Sequence, residues 1–321
     1  MAKTWGSDIT ILVASDFNYL PGVYGLYNSA IENGFNGKFL LLTSDKKVES
    51  AHSELKLKWY ENFKGNYLKN FHRLNGLKNL PAGKYLFLDA DFIIERPLGI
   101  LLDALNAGVI VSTEPEKKYS NSDVLIYRQC KEMNIEPVFR NIEYINCGLL
   151  GFEIPRDAQL INDWILYTEK HLENILSVAE NPNWFFPEQD ILNILIKTNS
   201  FPVFSISHRQ LELNCYPNKN YYKRNFPYTK QDDLYPKDQL KYLIHGAALN
   251  RPWLKNSNNS SLKQKAYTSG LKGILKTPTP YERAWAYYAC REDIPIPVSH
   301  WHKQYNFTAY KNLPWRKAHG I

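Results

Sequence analysis

The chain has 321 residues, 44% of them hydrophobic and 14% aromatic, which supplies a large core and excludes a disordered protein. Its four cysteines form no C-x-x-C pair, which argues against a zinc site or disulfide framework and for a reducing compartment. The net charge of +7 is unevenly placed, since residues 252–321 carry 11 basic and three acidic side chains while residues 1–251 carry 28 and 29. The start, MAKTWGSDITILVASD, enters a strand without the layout of a signal peptide, and no run reaches the roughly 18–20 apolar residues of a membrane span, so a cytoplasmic protein is expected.

Residues 8–45 read as strand, helix, strand. DITILVASD is an apolar run closing on a turn-prone Asp. LPGVYGLYNSAIENG sets Val23, Leu26, Tyr27, Ala30 and Ile31 at helical spacing and ends at Gly34, and KFLLLTSD repeats the run-to-Asp pattern. A second helical stretch is expected over about 51–80, with strands at YLFLDAD (85–91) and AGVIVST (107–113). EYINCGLLGFEI (143–154) reads as a strand or strand-turn whose glycines indicate a close backbone approach. RDAQLINDWILYTEKHLENILSV (156–178) is the clearest helix, and a shorter one starts after Pro187. FPVFSIS (201–207) is a strand, and KYLIHGAALNRPW (241–253) a strand running into a loop. Buried runs separated by helices predict an α/β fold with a mixed, mainly parallel sheet flanked by helices. The polar segment KNSNNSSLKQK (255–265) is the best linker, dividing a unit at 1–253 from a basic, aromatic-rich region at 254–321.

The chemistry begins in YLFLDADFII. An apolar run ending in Asp89 and Asp91 has either reached solvent or holds a cation, because a buried carboxylate is costly unless neutralised. Residues two apart in extended structure share a face, so this pair suits a shared hard ion, Mn²⁺ or Mg²⁺. In LIHGAALNRPW, His245 follows an apolar strand as an imidazole suited to Mn²⁺, and Arg251 offers a fork for phosphate; a core histidine and a solvated arginine are the plain alternatives. FPEQDILN places Glu188, Gln189 and Asp190 at a helix start, where acidic residues also serve as caps and dipole partners. YINCGLLGF offers Asn146 and Gly148 to a ligand or to a bulge. VASDFNYLPG puts Asp16 and Tyr19 just past the first strand, where a nucleotide would lie in such a sheet.

In order and spacing, VASDFNYLPG, YLFLDADFI, YINCGLL, EQDILN and IHGAALNRPW resemble the motifs of glycosyltransferase family 8, over about residues 8–253. These are retaining nucleotide-sugar transferases of the GT-A fold, among them lipooligosaccharide galactosyltransferases and glycogenin. The resemblance implies that Asp89, Asp91 and His245 hold Mn²⁺ or Mg²⁺ against the diphosphate of a UDP-sugar, with galactose or glucose as the transferred hexose. It implies that Asp16 and Tyr19 meet the base and ribose, that Arg251 contacts the diphosphate, and that Arg73 lies near the sugar. Asn146, Glu188, Gln189 and Asp190 would surround the sugar and reacting carbon, with Ala14, Ala90, Gly148 and Gly246 completing the donor-binding set. Gln189 and Asp190 are the catalytic candidates for the lower face of the sugar, and front-face attack with Gln189 stabilising the positive centre is the favoured route. The chain departs from the family pattern at Arg251, where lysine is usual, at Glu188, where aspartate is usual, and at Ala248, where glycine is usual.

The implied acceptor is the hydroxyl of a glycan, glycolipid or other molecule. The basic tail suits peripheral contact with the inner face of an anionic membrane, an acceptor glycan stacking on aromatics, or a structural cap; no nucleic-acid-binding motif is present. Two rival functions are a non-catalytic sugar-nucleotide or glycan-binding protein and a sugar-nucleotide pyrophosphorylase. The second would carry a G-x-G-T-R start after its first strand, which VASDFNYLPG lacks.

Overall fold

The computed structural model describes residues 4–50, 55–61, 73–113, 122–136, 142–176, 187–207, 212–214, 242–246, 280–290 and 295. Its main sheet is built from β1 (Ile9–Ala14), β2 (Lys38–Thr43), β3 (Lys56–Trp59), β4 (Gly83–Leu88), β6 (Val109–Thr113), β7 (Ile145–Ile154) and β8 (Val203–Ser207). The spatial order is β3-β2-β1-β4-β7-β6-β8. β1 runs parallel to β2 and β4, β6 runs parallel to β8, and β7 is antiparallel to both β4 and β6. The inverted β7 brings its first residues to the edge where the parallel strands end, the edge at which α/β sheets gather ligands.

The central strands β1, β4, β6 and β7 are largely buried on both faces, which is why they read as continuous apolar runs. Ile11, Val13, Leu86 and Leu88 face one core with helix α1 (Leu20–Glu32), while Leu12, Phe87 and Leu150 face the other. Helices α4 (Ala158–Leu176) and α5 (Pro187–Thr198) fill that second core with Leu160, Ile161, Trp164, Ile191 and Leu195. Two further helices, α2 (Gly99–Leu102) and α3 (Ser122–Glu132), lie between β4 and β7 in the chain.

The helix expected over 51–80 gives way at Lys56–Trp59 to edge strand β3, which pairs in parallel with β2 from Leu40↔Lys56 to Thr43↔Trp59. Lys58 crosses from this strand to donate to the carbonyls of Gly76, at 2.8 Å, and of Lys78.

A second, three-stranded sheet has the order β5-β10-β9, from β5 (Phe92–Ile94), β9 (Glu212–Asn214) and β10 (Leu243–His245). β10 is antiparallel to β5, with His245 opposite Phe92. The other edge of β5 is satisfied by α1: the Ile94 N–H donates to Ser29 Oγ at 2.9 Å, and Asn33 Nδ2 donates to the Ile94 carbonyl at 2.8 Å. Helix α6 (Pro280–Cys290) packs across α1, where Asn28 Nδ2 donates to the Tyr288 carbonyl at 2.8 Å. The linker segment 255–265 lies outside the described residues. Among the described residues no helix is long and apolar enough to cross a membrane.

Candidate active site

A turn, not an extended strand, brings the two aspartates together. β4 stops at Leu88; the Asp89 N–H donates to the Gly148 carbonyl at 2.8 Å, and the Phe92 N–H returns to the Asp89 carbonyl at 3.2 Å. β5 then starts at Phe92, and its pairing with β10 fixes His245 beside the turn. The Phe92 and His245 rings stack with centroids 4.2 Å apart, and the Gly246 N–H donates to the Asp91 carbonyl at 2.7 Å. His245 Nε2 therefore lies 3.6 Å from Asp91 Oδ1, and one ligand atom from each of Asp89, Asp91 and His245 falls within 4.8 Å of the others. Donors on opposite sides of one ion stand about 4.0–4.4 Å apart at bond lengths of about 2.0–2.2 Å, so a small adjustment lets one ion reach all three. Two carboxylates and an imidazole form a hard N/O set that fits Mn²⁺ or Mg²⁺. Asp91 is 3% exposed and Asp89 27%, so one wall is buried and the other faces solvent.

Arg73 supplies the counter-charge. One guanidinium nitrogen donates to Asp89; the other donates to Glu188 Oε1 at 3.3 Å and to Cys147 Sγ at 2.8 Å. Its plane lies 5.5 Å from the Phe87 ring. Burial works against the arginine's charge, yet Asp89, Cys147 and Glu188 more than offset it and its pKa rises. Burial likewise pushes the Glu188 carboxyl up, with Arg73 pulling it back. Gly148 is required where it stands, because a Cβ there would sit 2.8 Å from both Asp89 Oδ2 and Asn146 Oδ1. Its N–H donates to Asn146 Oδ1 at 2.7 Å.

The Q-D-I-L-N segment holds the first residues of β7 in place. Gln189 Oε1 accepts from the Cys147 N–H at 3.1 Å. Asn193 Oδ1 accepts from the Ile145 N–H at 2.7 Å, and Asn193 Nδ2 donates to the Ile145 carbonyl at 2.9 Å. The buried Gln189 Nε2 and Arg73 Nε have no partner among the described residues. Asp190 stands apart from this group. Fully buried, it accepts from Gln129 Nε2 at 3.0 Å and from the Tyr144 hydroxyl, so the structure does not bring it to the metal cluster.

Beyond the carboxyl end of β1, Asp16 caps a short 3-10 turn, its Oδ1 accepting from the Tyr19 N–H at 3.1 Å. Ala14 ends β1 and is half-buried, while Ala90 is buried in the core beneath the turn. Gly246 gives its N–H to Asp91, and its open side faces the Tyr281 ring. Two neighbours escaped the sequence reading. Asp45, past β2, accepts from the Phe17 N–H at 3.1 Å and the Lys47 N–H at 3.0 Å; the run-to-Asp pattern in KFLLLTSD was its signal. Tyr60, past β3, hydrogen-bonds Ser44, and its phenol pKa is raised chiefly by burial. Arg251 and Ala248 lie outside the described residues.

The mixed seven-stranded sheet with one inverted strand matches a GT-A-like α/β fold. An active-site mutant of LgtC shares that fold at 15% identity, with a TM-score of 0.50 over 81% of this chain and 95% of its own. The galactosyltransferase LgtC in complex with donor and acceptor sugar analogues matches at 15% identity and a TM-score of 0.48 over the same shares. The apo bifunctional glycosyltransferase WbbM matches at 16% and 0.49, over 90% of this chain and 53% of its own. No protein-family model and no curated protein sequence matches the chain.

Proposed function

We propose that this protein is a metal-dependent glycosyltransferase that moves a hexose, galactose or glucose, from a UDP-sugar to a hydroxyl of a glycan or glycolipid with retention of configuration. The observation that carries this reading is the convergence of Asp89, Asp91 and His245 at the carboxyl edge of a GT-A sheet. Asp89, Asp91 and His245 would hold Mn²⁺ or Mg²⁺, which supplies charge for the diphosphate as it departs.

The chain's own residues do the rest. Asp16 and Tyr19 receive the uridine, and Arg251 is assigned to the diphosphate by the sequence resemblance. Arg73 keeps one Asp89 oxygen neutralised and so holds two close carboxylates in their buried turn. Gln189 is the catalytic candidate: its Oε1 accepts from the Cys147 N–H, and its buried amide nitrogen has no partner among the described residues, a donor left over for the sugar. Asp190 becomes a positioning residue, with both oxygens engaged by Gln129 and Tyr144. In the reaction the bond from the anomeric carbon to the phosphate oxygen breaks, the acceptor oxygen bonds to that carbon on the same face, and its proton passes to the departing phosphate. Electrostatic preorganisation of the leaving-group side carries most of the acceleration. We assign the donor-binding motifs to residues 1–253, with helix α6 of the following region packed on that unit. The +8 balance of residues 252–321 suits an acidic partner such as an anionic membrane face.

The test is hydrolysis of a panel of UDP- and GDP-sugars without acceptor, with Mn²⁺ and with EDTA, for wild type and Asp91→Ala. Mn²⁺-dependent release of one sugar that the variant loses establishes the transferase and identifies its donor. Tight Mn²⁺-dependent UDP binding with no turnover, even with glycan acceptors, means a binding protein. Absence of binding sinks the proposal.

A further inference from the structure

We infer that the C-terminal helix α6 belongs to the frame of the metal site and that Tyr281 is a positioning residue for His245; the inference rests on the donor-site reading above. The face Tyr281, Ala284, Trp285, Tyr288 and Ala289 follows i, i+3, i+4, i+7, i+8 spacing, and all five side chains are buried. What they cover is the set of pieces that converge on the site.

Trp285 Nε1–H donates to the Pro21 carbonyl at 2.8 Å, in the first turn of α1 directly after Asp16–Tyr19. The Trp285 ring lies so close to Gly25 that a Cβ there would meet Cδ1 at 2.8 Å, with Ile93 of β5 next at 3.1 Å. Tyr281 does the same at the other end, where a Cβ on Gly246 would meet two of its ring carbons at 2.7 Å. Gly246 is thus held from two sides, its N–H on the Asp91 carbonyl and its α-carbon against the Tyr281 ring. His245 is the adjacent residue and has little backbone freedom while that ring is in place. Outer-shell supports of this kind typically change metal affinity by about 10–100-fold when removed.

The experiment titrates Mn²⁺ alone into the full chain and reads free Mn²⁺ by electron paramagnetic resonance. Tyr281→Ala should weaken binding by about 10–100-fold, whereas Tyr281→Phe, which keeps the ring, should bind as wild type does. Leu160→Ala, a core truncation in α4 remote from the site, controls for loss of stability and should leave affinity unchanged. If Tyr281→Ala does not fold, Gly246→Ala takes its place: the added methyl should weaken Mn²⁺ binding, and Tyr281→Leu in the same chain should restore part of it. A folded Tyr281→Ala protein with wild-type affinity, or no rescue in the folded double variant, overturns the role of Tyr281. A wild-type chain that binds no Mn²⁺ removes the metal site and this inference together.

Discussion

Gly148→Ala is the sharpest single perturbation of the site. The new methyl carbon would stand 2.8 Å from Asp89 Oδ2 and from Asn146 Oδ1, where ordinary contact begins near 3.4 Å. Neither oxygen can retreat freely. Asn146 accepts the residue's own N–H at 2.7 Å, and Asp89 is tied to Arg73 on one side and to the Gly148 carbonyl through its N–H on the other. Overpacking of this kind costs about 1–3 kcal/mol, and loss of the Asn146 bond adds about 1 kcal/mol. The expected loss is therefore about 2–4 kcal/mol, read as a lower urea midpoint at unchanged slope by tryptophan fluorescence. If Asp89 turns away by even part of that strain, Mn²⁺ affinity falls about tenfold, which is 1.4 kcal/mol. A variant with the wild-type midpoint and wild-type Mn²⁺ affinity would refute the geometry assigned to the Asp89–Gly148–Asn146 corner.

Trp285→Ala empties a site that is 1% exposed and should cost about 3–5 kcal/mol; a change in urea stability below 1 kcal/mol would mean that α6 does not seal the α1–β5 face. Asn193→Ala strips the Ile145 N–H and carbonyl of their side-chain partner and should cost about 2 kcal/mol, checked by the same unfolding curve. Cys130 is buried, and burial pushes its thiol pKa from 9.0 up to about 11. Native protein at pH 8 should resist iodoacetamide at Cys130, react faster as pH rises toward 11 and the thiolate forms, and label at once in urea; mass spectrometry of the peptide decides it. Mn²⁺ in 100-fold excess over its Kd should stabilise wild type by about 2.7 kcal/mol and leave Asp91→Ala unchanged in a thermal melt.

How far the sequence could be read depended on where each element gets its structure. β1, β2, β4, β6 and β7 are legible because both faces are buried and the apolar runs are unbroken. β3 is not, since KLKW has one buried-side residue and its pairing with β2 is decided by a neighbouring strand. β5 and β9 have three residues each, too few for any period, and exist through pairing with β10. At the site, Asp89, Asp91 and His245 are legible as residue types at motif spacing, but the turn that closes them together is a tertiary fact. Asp190 reads as catalytic beside Gln189; its partners Gln129 and Tyr144, 61 and 46 residues distant, are contacts that no sequence spacing could show. Tyr60 carries no motif and is found only because parallel strands deliver it to the same edge.

The pairing of β5 with β10 also sets a timetable. His245 is made 154 residues after Asp91, an interval of roughly 8–30 s at synthesis rates of about 5–20 residues per second. Through that time the growing chain carries the two carboxylates without the imidazole, and Arg73, already made, is the charge at hand to quiet them. The complete ligand set is born late, with the last strand of the small sheet, and α6 follows it within 50 residues. On the proposed function, metal capture would be a late event in the biogenesis of this chain.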